Sequence, residues 1–166
     1  MHLAAVLLAA VVLWLMRDEI TEKAVTGLEW MIAPVLAIAV AAVLLIASPG
    51  KRFELWLIAI IVGLGLGALM AATLKINRDV GQRLMRVQRA WDGVAAAALL
   101  FSLAVVRLVT SDFLGRQSGK FGVLGAGAAF LAAYLVGRFV VARFYRTPKS
   151  SHLDMLVGHN PRRTVV

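Results

Sequence analysis

The stretch FELWLIAIIVGLGLGALMAATL, Phe53 to Leu74, holds 22 residues with a single charge, Glu54, at its opening. As a helix it would be about 33 Å long, enough to cross the roughly 30 Å hydrocarbon core of a bilayer. The rest of the chain agrees in kind. Of 166 residues, 61% are apolar and 16% are charged, against roughly 45–50% and about 25% in ordinary soluble domains. A soluble fold of this size could not hide so much apolar surface, so lipid is the expected solvent. Disorder and collagen are excluded by the same composition. The chain has no cysteine, which removes disulfides, thiol redox chemistry, covalent c-type haem attachment and cysteine-held zinc or iron–sulfur clusters within it.

Four further apolar runs flank this one. His2 to Met16 is short for a crossing and resembles the core of a signal peptide. It lacks a basic leader and runs into Leu15-Met16-Arg17-Asp18-Glu19 where a small-residue cleavage site would stand, so a retained, short span is expected. The second run, 24–47, is interrupted by Glu29 and Pro34 and stops at Ser48-Pro49-Gly50, a strong turn signal. Proline inside it predicts a kink. The fourth and fifth runs are 93–110, with Arg107, and 121–142, with Arg138. The expected architecture is all-α: a five-helix transmembrane domain over 1–146 with spans near 2–16, 24–47, 53–74, 93–110 and 121–142, a basic loop at 75–91 and a tail at 147–166. There is no internal repeat, which gives an inverted-repeat transporter little support.

Five spans put the two termini on opposite sides. Twelve lysines and arginines, including Arg17, Lys75, Arg78, Arg83, Arg86, Arg89 and Lys149, then share one side, and four, Lys51, Arg52, Arg116 and Lys120, share the other. The positive-inside rule makes the richer side cytoplasmic, with the N-terminus out and the C-terminus in. The net charge of +9 is therefore read as topology and lipid attraction rather than nucleic-acid binding.

Charge inside a span is costly unless it pairs, snorkels or meets water. Arg107 is placed about one turn from the outer surface and Arg138 about one turn from the inner one, and both can snorkel. Glu54 and Glu29 lie at matching heights, which predicts two structural ion pairs, Glu54 with Arg107 and Glu29 with Arg138. No charge falls at the midplane, where a proton relay or coupled-ion site would need one. Gly63 and Gly67 form a GxxxG spacing suited to close helix packing. A nucleotide-binding reading of Gly63 to Gly67 fails, because no strand precedes it and no P-loop lysine follows. His2, His152 and His159 are poorly placed to hold a metal or a bis-histidine haem. No catalytic constellation, cofactor ligand or metal site is recognisable, and the expectation is a protein that is not an enzyme.

The loop Lys75 to Trp91 admits two forms. Ile76, Val80, Leu84, Val87 and Trp91 recur at helical spacing, as in a basic amphipathic helix on the anionic inner leaflet. Asn77-Arg78-Asp79-Val80-Gly81 has turn chemistry and suits a hairpin, although Leu84 and Met85 spoil strict alternation. In either form Arg78, Arg83, Arg86, Arg89 and Trp91 form the expected contact with membrane lipid or a partner. Trp14, Trp30, Trp56 and Trp91 all fall near span ends, as an aromatic belt would. The tail is polar apart from 153–157, and is expected to order only against something else; repulsion from the basic loop favours a partner or lipid headgroups as that support.

Within this region Lys75-Ile76-Asn77-Arg78-Asp79, then Arg86-Val87-Gln88-Arg89-Ala90-Trp91 leading into a span that ends in Val106-Arg107-Leu108, resembles the CcdC-like bacterial membrane proteins. The likeness covers 68–143 and rests on hydropathy and a few basic positions. It implies a bacterial cytoplasmic membrane and a setting in cytochrome maturation, where a cysteine-free chain could serve only as an accessory. The expected function is a non-catalytic accessory or assembly subunit of a larger membrane complex, with another integral membrane protein and anionic lipid as partners. The rival is a small transporter or channel component, with Glu29, Arg138 and the Pro34 kink lining a path.

Overall fold

A computed structural model describes residues 2–20, 24–46, 53–73, 76–79, 84–87, 91–113, 122–144 and 149–150; at 19, 27–29, 111–113 and 122 and in the strands it describes the backbone alone. Five helices dominate: α1 (His2–Ile20), α2 (Gly27–Ile46), α3 (Phe53–Ala71), α4 (Asp92–Phe113) and α5 (Gly122–Phe144). Four short strands accompany them: β1 (Ala24–Thr26), β2 (Ile76–Asp79), β3 (Leu84–Val87) and β4 (Lys149–Ser150). Three stretches, Phe53–Ala71, Asp92–Thr110 and Val123–Phe144, are long and apolar enough to cross a membrane, and Trp30–Ile46 is a shorter apolar helix.

The helices expose what a soluble protein would hide. Of the 22 buried apolar residues described, 14 are alanine, whereas Leu3, Leu7, Ile46, Leu57, Ile61, Leu69 and Phe144 each lie outside with more than half their surface exposed. Small residues inside let helix backbones approach one another, and large aliphatic ones lie outside, which is the arrangement expected in a membrane, where no hydrophobic effect drives helices together. The main core follows the same logic. Ala5, Ala9, Val12 and Met16 form one stripe along α1, and they meet Ala37, Val40 and Leu44 of α2, Ala97, Leu100 and Ala104 of α4 and Ala128, Leu131 and Leu135 of α5.

Helix directions follow from the contacts. On α3 and α5 the touching positions rise together, Gly63 against Phe130 and Gly67 against Tyr134, so these two helices are parallel. On α4 and α5 they oppose: Asp92 meets Arg138, while Leu103 lies against Gly127. Trp30, at the start of α2, packs on Phe139 with ring centroids 5.4 Å apart. The beginnings of α2 and α4 therefore share one end of the bundle with the ends of α3 and α5. Three residues link the end of α1 to β1, which brings α1 to the same end.

That end carries the sheet. Its order is β1-β3-β2-β4, with β3 antiparallel to β1 and β2 and β4 parallel to β2. The parallel pairing has a simple origin, since β2 and β4 follow two parallel helices. Of the two forms open to the 75–91 loop, the hairpin is the one present, and the all-α description has to admit a small sheet. Leu84 and Met85 spoil alternation only within one strand considered alone. The register sets Leu84 opposite Asp79 and Thr26, and Met85 opposite Arg78 and Val25, so both have partners, on opposite faces of the sheet. The start of the tail also differs from expectation, because Lys149–Ser150 pairs with the loop itself. Backbone hydrogen bonding there prevails over the repulsion between basic segments.

Candidate functional site

The buried polar chemistry of the described helices concentrates where α4 begins and α5 ends. Tyr134 and Arg138 stand four residues apart and so share a face of α5. Asp92 opens α4, where a carboxylate is favoured by the positive end of the helix dipole. Just before it, the carbonyl of Trp91 accepts the first helical hydrogen bond, from the Ala95 N–H at 2.8 Å.

These three side chains meet. Arg138 Nε lies 2.8 Å from Asp92 Oδ2. That contact is an ion pair whose N–H is poorly aligned for a hydrogen bond. Arg138 Nη2 donates to Asp92 Oδ1 at 3.3 Å, and the Tyr134 hydroxyl donates to Asp92 Oδ2 at 2.9 Å. Arg138 is 2% exposed and Asp92 26% exposed, so the cation is enclosed and the carboxylate faces partly outward. A charge pair made in this way fixes orientation, because a guanidinium can present two N–H groups to one carboxylate. Trp30, Ala71 and Ala142, with Phe139 and Val141 packed against them, form a second apolar cluster at this end of the bundle.

The sequence analysis missed Asp92, a carboxylate that meets Arg138. The expected Glu29–Arg138 pair involves a Glu29 side chain that lies outside the described residues. Asp92 escaped notice because the fourth span was begun one residue later, at position 93. Two signals pointed to it: an acid in the first turn of an apolar helix, and the Tyr134–Arg138 spacing.

The other expected pair is not formed among the described residues. Glu54 is exposed at the first turn of α3 and makes no ion pair with any of the described residues. Arg107 is buried, 8% exposed, and engaged elsewhere. The reason is packing: α3 lies chiefly on α5, and α4 chiefly on α1.

Gly63 and Gly67 lie on the α3–α5 contact. A methyl group on Gly63 would run into the Phe130 carbonyl oxygen, and one on Gly67 into that of Tyr134, with the Arg138 nitrogen only 2.9 Å away. Gly137, from the opposite side, faces the Leu64 backbone in the same way. Trp14 and Trp91 are exposed at 66% and 58%, whereas Trp30 is 6% exposed and belongs to the interior rather than to a belt. Trp56, half-buried, tilts against Phe53 at 5.3 Å.

Arg78 and Arg86 stand on β2 and β3. Arg83, Arg89, His152 and His159 lie outside the described residues. Among the described residues no group of three metal-ligating side chains occurs. A groove of about 290 Å³ runs between α2, α3 and α5, with Ile38, Ala41, Leu64 and Ala132 among its walls, all of them aliphatic. Compared with known proteins, the chain matches no family model, no curated protein and no solved structure.

Proposed function

We propose that this chain is a non-catalytic accessory or assembly subunit of a larger complex in a bacterial cytoplasmic membrane. In that reading it has five spans, with the N-terminus outside and the sheet and tail in the cytoplasm. The observation that carries the proposal is the meeting of Asp92, Arg138 and Tyr134 between α4 and α5. Arg138, the ionisable group a transport path would recruit, is 2% exposed and held by a carboxylate on the neighbouring helix. It ties α4 to α5. The transporter reading requires Arg138 to face water, and is the weaker for it.

The sheet supports the same reading from the cytoplasmic side. It gathers Arg78 and Lys149 from the loop and the tail into one structure that a partner subunit or anionic lipid could contact. The CcdC-like resemblance adds cytochrome maturation as the setting. The test is purification of the tagged chain from its native membrane in mild detergent, with identification of co-purifying proteins. The expected result is a stoichiometric integral membrane partner, retained by the wild type and lost from a chain truncated after Lys149. Recovery of the chain alone, with reporter fusions placing the tail outside, would overturn both the assignment and its orientation.

A further inference from the structure

The strand register places two cations side by side. Arg78 of β2 is the direct partner of Lys149 of β4, on strands that in any sheet lie about 4.8 Å apart. Like charges directly opposite one another destabilise a sheet. Here the two come from segments about seventy residues apart in sequence, so no local constraint forces them together. Partners in register share a face, and so do residues two apart along a strand. Arg78 and Lys149 therefore share their face with Ile76, Val25, Met85 and Val87. Among the described residues that face holds four apolar residues, two cations and no acid. On the opposite face Arg86 is accompanied by Asp79, one strand over.

The position of the sheet adds a second argument. All four strands join the helices at one end of the bundle, where the apolar outer surface of the helices stops and the exposed Trp91 stands. Aliphatic positions beside two cations in register match the boundary of a bilayer, where hydrocarbon gives way to phosphate.

We infer that the Arg78–Lys149 juxtaposition is a binding site for the phosphate of an anionic phospholipid headgroup, with the aliphatic part of the same sheet face against the lipid's glycerol and upper chain. The inference rests on the membrane reading above and names the ligand of its lipid contact. Bound phosphate neutralises the repulsion across β2 and β4, so lipid and tail pairing stabilise each other. A cation near an anionic surface contributes roughly a five-fold gain in affinity, and a pair about thirty-fold.

The test uses the full chain in mild detergent, with native mass spectrometry of retained lipid. Phosphatidylglycerol and phosphatidylcholine with identical acyl chains compete for the protein. The wild type is expected to select phosphatidylglycerol, and Arg78→Gln with Lys149→Gln to lose about thirty-fold of that selectivity. Arg86→Gln, on the opposite face of the same sheet, is expected to change it less than about two-fold, and the charge-retaining pair Arg78→Lys with Lys149→Arg to preserve it. Size-exclusion profiles report folding of every variant. Equal losses from Arg86→Gln and from either single change at the site would reduce the effect to bulk charge and overturn the proposal. Displacement of the lipid by millimolar inorganic phosphate would overturn it in favour of a soluble phosphate ligand. Intact selectivity in a chain that co-purifies with no partner would support the site and overturn only the accessory-subunit reading.

Discussion

Helix α5 is held on two sides by opposite means. Toward α3 it presents backbone: the carbonyls of Phe130 and Tyr134 lie where methyl groups on Gly63 and Gly67 would stand. Toward α4 it presents charge, with Arg138 and Tyr134 both on Asp92. In lipid, apolar side chains gain little by leaving hydrocarbon for protein, so association relies on close packing and on polar bonds. The first contact is extended and weak per residue; the second concentrates on one carboxylate. Helix α3 shows the consequence, for Gly63, Gly67 and Ala71 are its only buried residues. Once α5 is spaced away from it, little else holds it.

The charged contact should be the more costly to break. Asp92→Ala takes a carboxylate from the enclosed Arg138, and removing one partner of a buried pair typically costs about 3–5 kcal/mol. We expect a loss of that order in reversible unfolding in mixed detergent micelles. Asp92→Leu combined with Arg138→Met should restore most of the loss, since replacing both partners by apolar groups is often neutral. A double variant as unstable as the single one would show that the pair does more than hold helices.

The glycine contact comes next. Gly67→Leu forces α3 off the Tyr134 carbonyl, with an expected cost of about 1–3 kcal/mol. Gly65→Leu is the matched control, because a methyl group at Gly65 meets nothing within 4 Å. Equal effects from the two glycines would mean that helix propensity rather than close approach sets the outcome.

The smallest expected effect is that of Tyr134→Phe, which removes one hydrogen bond to Asp92 and leaves the ion pair. Interhelical hydrogen bonds of this kind average about 0.6 kcal/mol in membrane proteins, and a loss of that size in the same unfolding assay would rank Tyr134 as support. A loss approaching that of Asp92→Ala would make the three residues one cooperative unit.

The two sides of α5 also differed in how far they could be read beforehand. The GxxxG spacing is local, four residues on one helix, and identified the packing face of α3 directly. The charged side was half legible: Arg138 stood out as a charge in an apolar run, but Asp92, which meets it, was not singled out. The depth argument considered Glu29 alone, although the beginnings of α2 and α4 belong to the same end of the bundle. Glu54 and Arg107 show the same limit, since equal depth does not make two helices neighbours.

Hydropathy along the chain was enough to indicate helices long and apolar enough to cross a membrane. In hydrocarbon each backbone must satisfy its own hydrogen bonds, and a helix does so within one continuous segment. Strand pairing carries no such local signature. Ala24–Thr26, the 76–87 hairpin and Lys149–Ser150 obtain their backbone partners from one another across most of the chain. Neither the sheet nor the meeting of Arg78 with Lys149 exists until the helices have brought those segments to the same end, and which helix lies beside which is settled by packing among residues far apart in sequence.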